Sequence, residues 1–205
     1  VDASGNLRPP EALLVDQGFN SVRLRVMVSP EVRTGVGLTD TASVVDAARR
    51  FTSAGLRRVL VDFHLSDTWA DPGHQAVPAA WAGHTAAELS VDVALHVTAV
   101  LAALRDAGVT PEWVQIGNEI ASGALWPNLD KVSGSSHWAP LAQVLNAGYG
   151  AVKTFDPSIQ VIVHFGGIEV APWWLSNFRA AGGRWDVIGV SFYPFWSPQT
   201  TVPLL

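Results

Sequence analysis

The sequence predicts an α/β protein built on a parallel sheet, and three observations predict it. Five short runs rich in β-branched residues alternate with stretches of helix length. Each run follows a helix-stop or turn signal, and each is apolar at its start and polar or aromatic at its C-terminal end. Strands alternating with helices make βαβ units and a parallel sheet. In such sheets ligands bind at the carboxyl ends of the strands, and in a (β/α)8 barrel several strand ends contribute catalytic groups together.

The elements justify themselves in order. NSVRLRV, residues 20 to 26, follows Gln17-Gly18 and carries Arg23 and Arg25 on one parity, where they can pair with Asp62 or brace a catalytic carboxylate. Residues 41 to 54 are an amphipathic segment stopped by Gly55. RRVLVDFH, residues 57 to 64, ends in Asp62 and His64. Residues 88 to 107 are the next helical segment, and VDVALHVTAVLAALRDAG, residues 91 to 108, makes it the clearest, with its stop at Ala107-Gly108. EWVQIGNE, residues 112 to 119, alternates like a buried strand and then presents Asn118 and Glu119. An unpaired buried charge costs several kcal/mol or changes its protonation state, so a strand that only packed a core would have no use for that pair. Residues 138 to 155 form the next helical segment, and QVIVHF, residues 160 to 165, follows Asp156-Pro157 and reaches His164. Residues 172 to 181 are again helical, and WDVIGVSFYP, residues 185 to 194, follows Gly182-Gly183 and brings Ser191 and Tyr193, with Trp196 just beyond. One polar strand end is ordinarily the start of a solvated loop; five in five strands indicate a site, and Glu119 ends a strand in it.

Composition narrows the chemistry. With 205 residues, 48% hydrophobic and 15% charged, the chain reads as one domain over residues 1–205, without repeats or linkers. A net charge of -5 without any basic run argues against nucleic acid or an anionic membrane as partner. Cysteine is absent, so no disulfide or thiolate metal site is available. No apolar run approaches a membrane span, and residues 1 to 20 lack the features of a signal peptide. His64 and His164 lie outside metal-ligand spacing, and His74, His84, His96 and His137 are expected in solvent, so no metal is expected. Gly166-Gly167 falls short of a nucleotide fingerprint and G-x-S-x-G is absent, so no cofactor is expected either. Nine tryptophans, among them Trp69, Trp126 and Trp196 in loop-like segments, offer aromatic surfaces. What remains is carboxylate chemistry beside aromatic platforms, the requirement of glycoside hydrolysis. Glu119 suits the acid, and Asn118 can donate to a sugar hydroxyl.

DFHLSDTWADPGHQAVPAAW at residues 62 to 81, WVQIGNEIASGALWP at 113 to 127 and VIGVSFYPFW at 187 to 196 closely resemble glycoside hydrolase family 53, the endo-β-1,4-galactanases acting on arabinogalactan side chains of pectin. The resemblance implies a (β/α)8 TIM barrel of the large retaining clan, with Asn118 and Glu119 as the Asn-Glu pair after the fourth barrel strand and Glu119 as acid/base. It implies that Arg23, His64, His164 and Tyr193 sit at the ends of strands two, three, five and six, and that Trp69, Asp71, Trp126 and Trp196 line the substrate cleft. It further implies a polysaccharide partner, β-1,4-galactan, a secreted protein, and a monomer at full length. The departures are Met27 and Ser29-Pro30, where the family usually has Trp and then Asn or Asp-Pro, and His164-Phe165-Gly166-Gly167-Ile168, where it has His-x-x-Asn-Gly or a close variant. The family's nucleophilic Glu ends strand seven, and SPQTTVPLL after Trp196 holds no such strand. The expectation is therefore an incomplete barrel, strands two to six present and one, seven and eight missing, with the nucleophile beyond Leu205. Glu169 reads as a helix-start acid. Two alternatives stand beside this reading: a sugar-binding remnant without catalysis, and a related β-glycanase acting on mannan or glucan.

Overall fold

The alternation of apolar and polar residues along each run sets the faces of the sheet. In the computed structural model, which describes residues 5–30 and 39–193, the runs are β1 (Ser21–Val26), β2 (Arg58–Phe63), β3 (Trp113–Ile116), β4 (Gln160–Phe165) and β5 (Val187–Val190). Every neighbouring pair is parallel, and the order across the sheet is the order along the chain. Helices α2 (Thr41–Ala54), α3 (Ala86–Asp106), α4 (Trp138–Phe155) and α5 (Ala171–Ala180) make the crossovers, and α1 (Pro10–Asp16) precedes β1. Consecutive parallel strands, each returned by a helix, build the wall of a TIM barrel.

Cap chemistry corrects the element bounds read from periodicity. α3 begins at Ala86, two residues ahead of the apolar stripe, because Thr85 and Glu88 form a capping box: Glu88 accepts from the Thr85 N–H at 2.8 Å, and Thr85 Oγ1 accepts from the Glu88 N–H at 3.4 Å. α5 starts at Ala171 with Pro172 in its first turn. α1, a helix of 7 residues, carries too little periodic signal to be expected. By length and composition α3 could cross a membrane, contrary to the expectation of no such run. Its Leu89, Val93, Val97, Val100, Leu101 and Leu104 are all buried, which is the pattern of a core helix.

One face of the sheet is apolar and packs under the helices: Leu24 and Val26, then Val59, Val61 and Phe63, then Val114 and Ile116, then Val161, Val163 and Phe165, all in one core with α3 and α4. Trp174 of α5 is fully buried, with ring centroids 4.8 Å from Phe165 and 4.5 Å from Phe178. Residues of opposite parity face the other way. There the register sets Arg25 beside Asp62 and Asp62 beside Gln115, so charged and amide side chains occupy neighbouring strands at one level.

Candidate active site

That polar row forms one connected network at the carboxyl ends of the strands. Asp62 is fully buried; its Oδ2 lies 2.9 Å from the Arg23 Nη2 and its Oδ1 accepts from Gln115 Nε2 at 2.6 Å. Arg23 also donates to Gln115 Oε1 at 3.1 Å and Asn118 Oδ1 at 2.9 Å. Asn118 Nδ2 in turn donates to the Ala70 carbonyl at 2.7 Å. The Ala70 N–H donates to His64 Nδ1 at 3.0 Å, which leaves the ring proton on Nε2, 3.1 Å from Asp62 Oδ2. Buried polar groups are tolerated when each finds its partner; Asp62, Arg23, Gln115, Asn118 and His64 all do, whereas Arg25 Nε is buried without a hydrogen-bond partner.

Glu119 stands at the end of this network. Its backbone adopts φ 52 and ψ 46, a left-handed conformation costing a non-glycine residue roughly 1–2 kcal/mol. Its N–H donates to His164 Nδ1 at 3.1 Å, and the other His164 nitrogen meets Ser191 Oγ at 3.2 Å. The turn that delivers Glu119 needs Gly117 at φ 82, where a Cβ would stand 2.7 Å from Ile120 Cγ2. Trp174 Nε1 fixes the far side by donating to the Ile120 carbonyl at 3.1 Å. Gly166 supplies the close approach: a Cβ there would lie 2.7 Å from Pro72 Cγ and 3.5 Å from Glu119 Cδ. Gly166 thus makes room for the carboxyl group and for the loop after β2.

Aromatic side chains frame the mouth. Trp69 is 44% exposed, with the Arg25 guanidinium 3.9 Å from its ring centroid and the His64 ring against its edge at 5.4 Å. Arg25 therefore stacks on an indole while Arg23 takes the ion pair with Asp62. Trp126 is half-buried, and Lys131 Nζ sits 4.0 Å from its ring centroid. Asp71 faces inward on its own loop: burial pushes its carboxyl up, but the Gly73 N–H and His74 outweigh this and hold it below the usual carboxylate range. Tyr193 is exposed three residues past β5, and Trp196 lies outside the described residues. Met27 is fully buried rather than facing the cleft.

Two members of the network, Gln115 and Gln75, went unrecognised in the sequence. Gln115 had a signal, an amide between Val114 and Ile116 on the parity of the polar row. Gln75 had none, because its partners depend on how the loop after β2 folds back. His96, expected in solvent, is instead packed edge-on against Phe63 at 5.5 Å and Trp81 at 6.1 Å. No group of three or more His, Asp or Glu side chains suited to a metal occurs among the described residues.

Burial lowers His96 to a pKa of about 4, and burial together with the positive charge of Arg23 lowers His164 to about 4. An unfolded histidine titrates near about 6.5, so between those values the unfolded chain binds protons that the folded protein refuses. This stability is complete above about pH 6.5 and is lost as pH falls toward 4, by roughly 2 to 3 kcal/mol for each histidine. Urea unfolding of the full-length protein at a series of pH values should show the decline, and His96→Leu should flatten part of it; a stability flat from pH 7 to about 4 contradicts both burials.

A TIM-barrel wall carrying a carboxylic acid beside an amide at one strand end, under exposed indoles, defines the glycoside hydrolase class of barrel. The chain belongs to glycosyl hydrolase family 53, whose model matches residues 1–204. The arabinogalactan endo-β-1,4-galactanase of Thermothelomyces thermophilus is 35% identical over 213 residues, covering 100% of this chain and 61% of the relative. The catalytic domain of the same family from Ignisphaera aggregans superposes with a TM-score of 0.83 at 33% identity, over 94% of this chain and 54% of that one. A fungal β-1,4-galactanase superposes with a TM-score of 0.84 at 35% identity, over 94% and 58%. The chain spans about three-fifths of the length of the curated relatives it matches.

Proposed function

We propose that the full-length protein is a secreted, monomeric, endo-acting retaining glycoside hydrolase that cleaves β-1,4-galactan in arabinogalactan and pectin side chains. Glu119 is the general acid/base, and the nucleophilic glutamate comes from beyond Leu205. The observation that carries this reading is the setting of Glu119, a carboxylic acid held in a left-handed turn by bonds to its main chain and packed against the bare Gly166. A retaining mechanism asks one carboxyl group to protonate the leaving oxygen and then to activate water, while a second, about 5 to 5.5 Å away, forms the glycosyl intermediate. Asn118 gives one amide hydrogen to Ala70 and has another for a sugar hydroxyl. Trp69 has Arg25 on one face and can offer the other to a sugar ring.

The test is hydrolysis by the full-length protein of β-1,4-galactan, mannan and cellulose, with the anomeric form of the first product read by NMR. Galactan should be cut with retention; hydrolysis of mannan or cellulose in its place overturns the substrate, and inversion overturns the mechanism. Trp69→Ala should weaken galactan binding by about 0.5 to 1.5 kcal/mol beyond the loss of contact area. Unchanged affinity would mean that the indole serves only to cover Arg25.

A further inference from the structure

Gln75 lies in the loop after β2, is 2% exposed, and is bonded to both sides of the cleft. Its Nε2 donates to the Asn118 carbonyl at 2.7 Å and to the Asp71 carbonyl at 2.9 Å, with the Glu119 carbonyl at 3.5 Å. Its own carbonyl accepts from the Trp126 N–H at 2.7 Å, and the Trp126 carbonyl accepts from the Val77 N–H at 2.8 Å. Asn118 returns the tie through Ala70. The Asn118 carbonyl, past the end of β3, meets no backbone N–H among the described turns and loops, and a buried carbonyl must find a donor. A primary amide nitrogen, with two hydrogens, can serve carbonyls of the loop and of the strand end together.

We propose that Gln75 is a positioning residue for the acid/base: by tying the Asn118 carbonyl to the loop after β2 it fixes the turn, and so the direction of the Glu119 carboxyl toward the leaving-group oxygen. The inference rests on the proposed role of Glu119. The Gln75 side-chain amide donates to main-chain carbonyls and Glu119 moves the proton, so loss of the amide should act on the step that needs the proton. A displaced catalytic group can cost on the order of a hundredfold in rate.

The experiment compares full-length wild type, Gln75→Met, Gln75→Glu and Glu119→Gln on β-1,4-galactan and on an aryl β-galactobioside whose phenolate leaves without protonation. Rates are normalised to the folded fraction, and Gln75→Glu keeps the shape of the side chain should Gln75→Met fold poorly. The expected result is a kcat/KM on galactan, which reports glycosylation, lowered about tenfold to a hundredfold in both Gln75 variants, with a much smaller loss of kcat/KM on the aryl substrate. Equal losses of kcat/KM on both substrates, or a lower melting temperature with unaltered kcat/KM, would show that Gln75 merely fastens the loop and would overturn the proposal. If Glu119→Gln discriminates between the substrates and the Gln75 variants do not, only the role of Gln75 falls. If Glu119→Gln itself does not discriminate, the acid/base reading falls and takes this inference with it.

Discussion

Glu119→Gln in the full-length protein is expected to lower turnover on galactan by about a hundredfold or more, the scale of general acid catalysis. The substitution keeps shape and hydrogen-bonding capacity but removes the transferable proton. Galactan loses an alkoxide-like sugar oxygen that needs protonation as its bond breaks, whereas an aryl leaving group needs little, so glycosylation of the aryl substrate should suffer far less. Because the Glu119 N–H, and not its carboxyl, bonds His164, the variant should retain its turn and its melting temperature. Equal loss of kcat/KM, which reports glycosylation, on both kinds of substrate, or a collapse in stability, would assign Glu119 to the fold.

The largest stability effect is expected at Asp62. Fully buried, it meets Arg23, His64 and Gln115 at once. Asp62→Ala would leave Arg23 without its counter-charge and Gln115 and His64 each with an unmet donor. Removing one partner of a buried pair costs about 3–5 kcal/mol, and because the Arg23 side chain is 43% exposed and can reach water, about 2 to 4 kcal/mol is expected here. Asp62→Asn retains the shape and an acceptor, and should cost less. Urea unfolding measures both. A change below about 1 kcal/mol for the alanine variant would mean that the network relaxes around the gap.

The strands and crossovers were legible because each run states its own face through a period of two and its own end through a polar residue. His64, Asn118, Glu119 and His164 converge because they fall beside those ends, where a parallel barrel wall must gather them, and the long side chain of Arg23 reaches them from the middle of β1. What the sequence concealed depends on contacts between distant segments. Arg23 and Arg25 are indistinguishable by parity, and only the fold of the loop after β2 decides that one meets Asp62 and the other Trp69. Gly166 carries no signal of its own in the sequence, and only the packing of Pro72 and Glu119 gives it a steric purpose. His96 reads as an ordinary helix residue until Phe63 and Trp81 are placed around it.

The span of the bonds made by Arg23 has a consequence for how the molecule comes into being. Its partners Gln115 and Asn118 lie 92 and 95 residues away along the chain, while each strand and its returning helix are close neighbours in sequence. Closing a long loop costs entropy before any contact repays it, so such links tend to form late. During synthesis the outer helices can dock on their strands one unit at a time, yet the cleft has no fixed shape until β3 has emerged and met β1 through Arg23. Nascent protein would therefore acquire its secondary structure gradually and the fixed shape of its cleft abruptly.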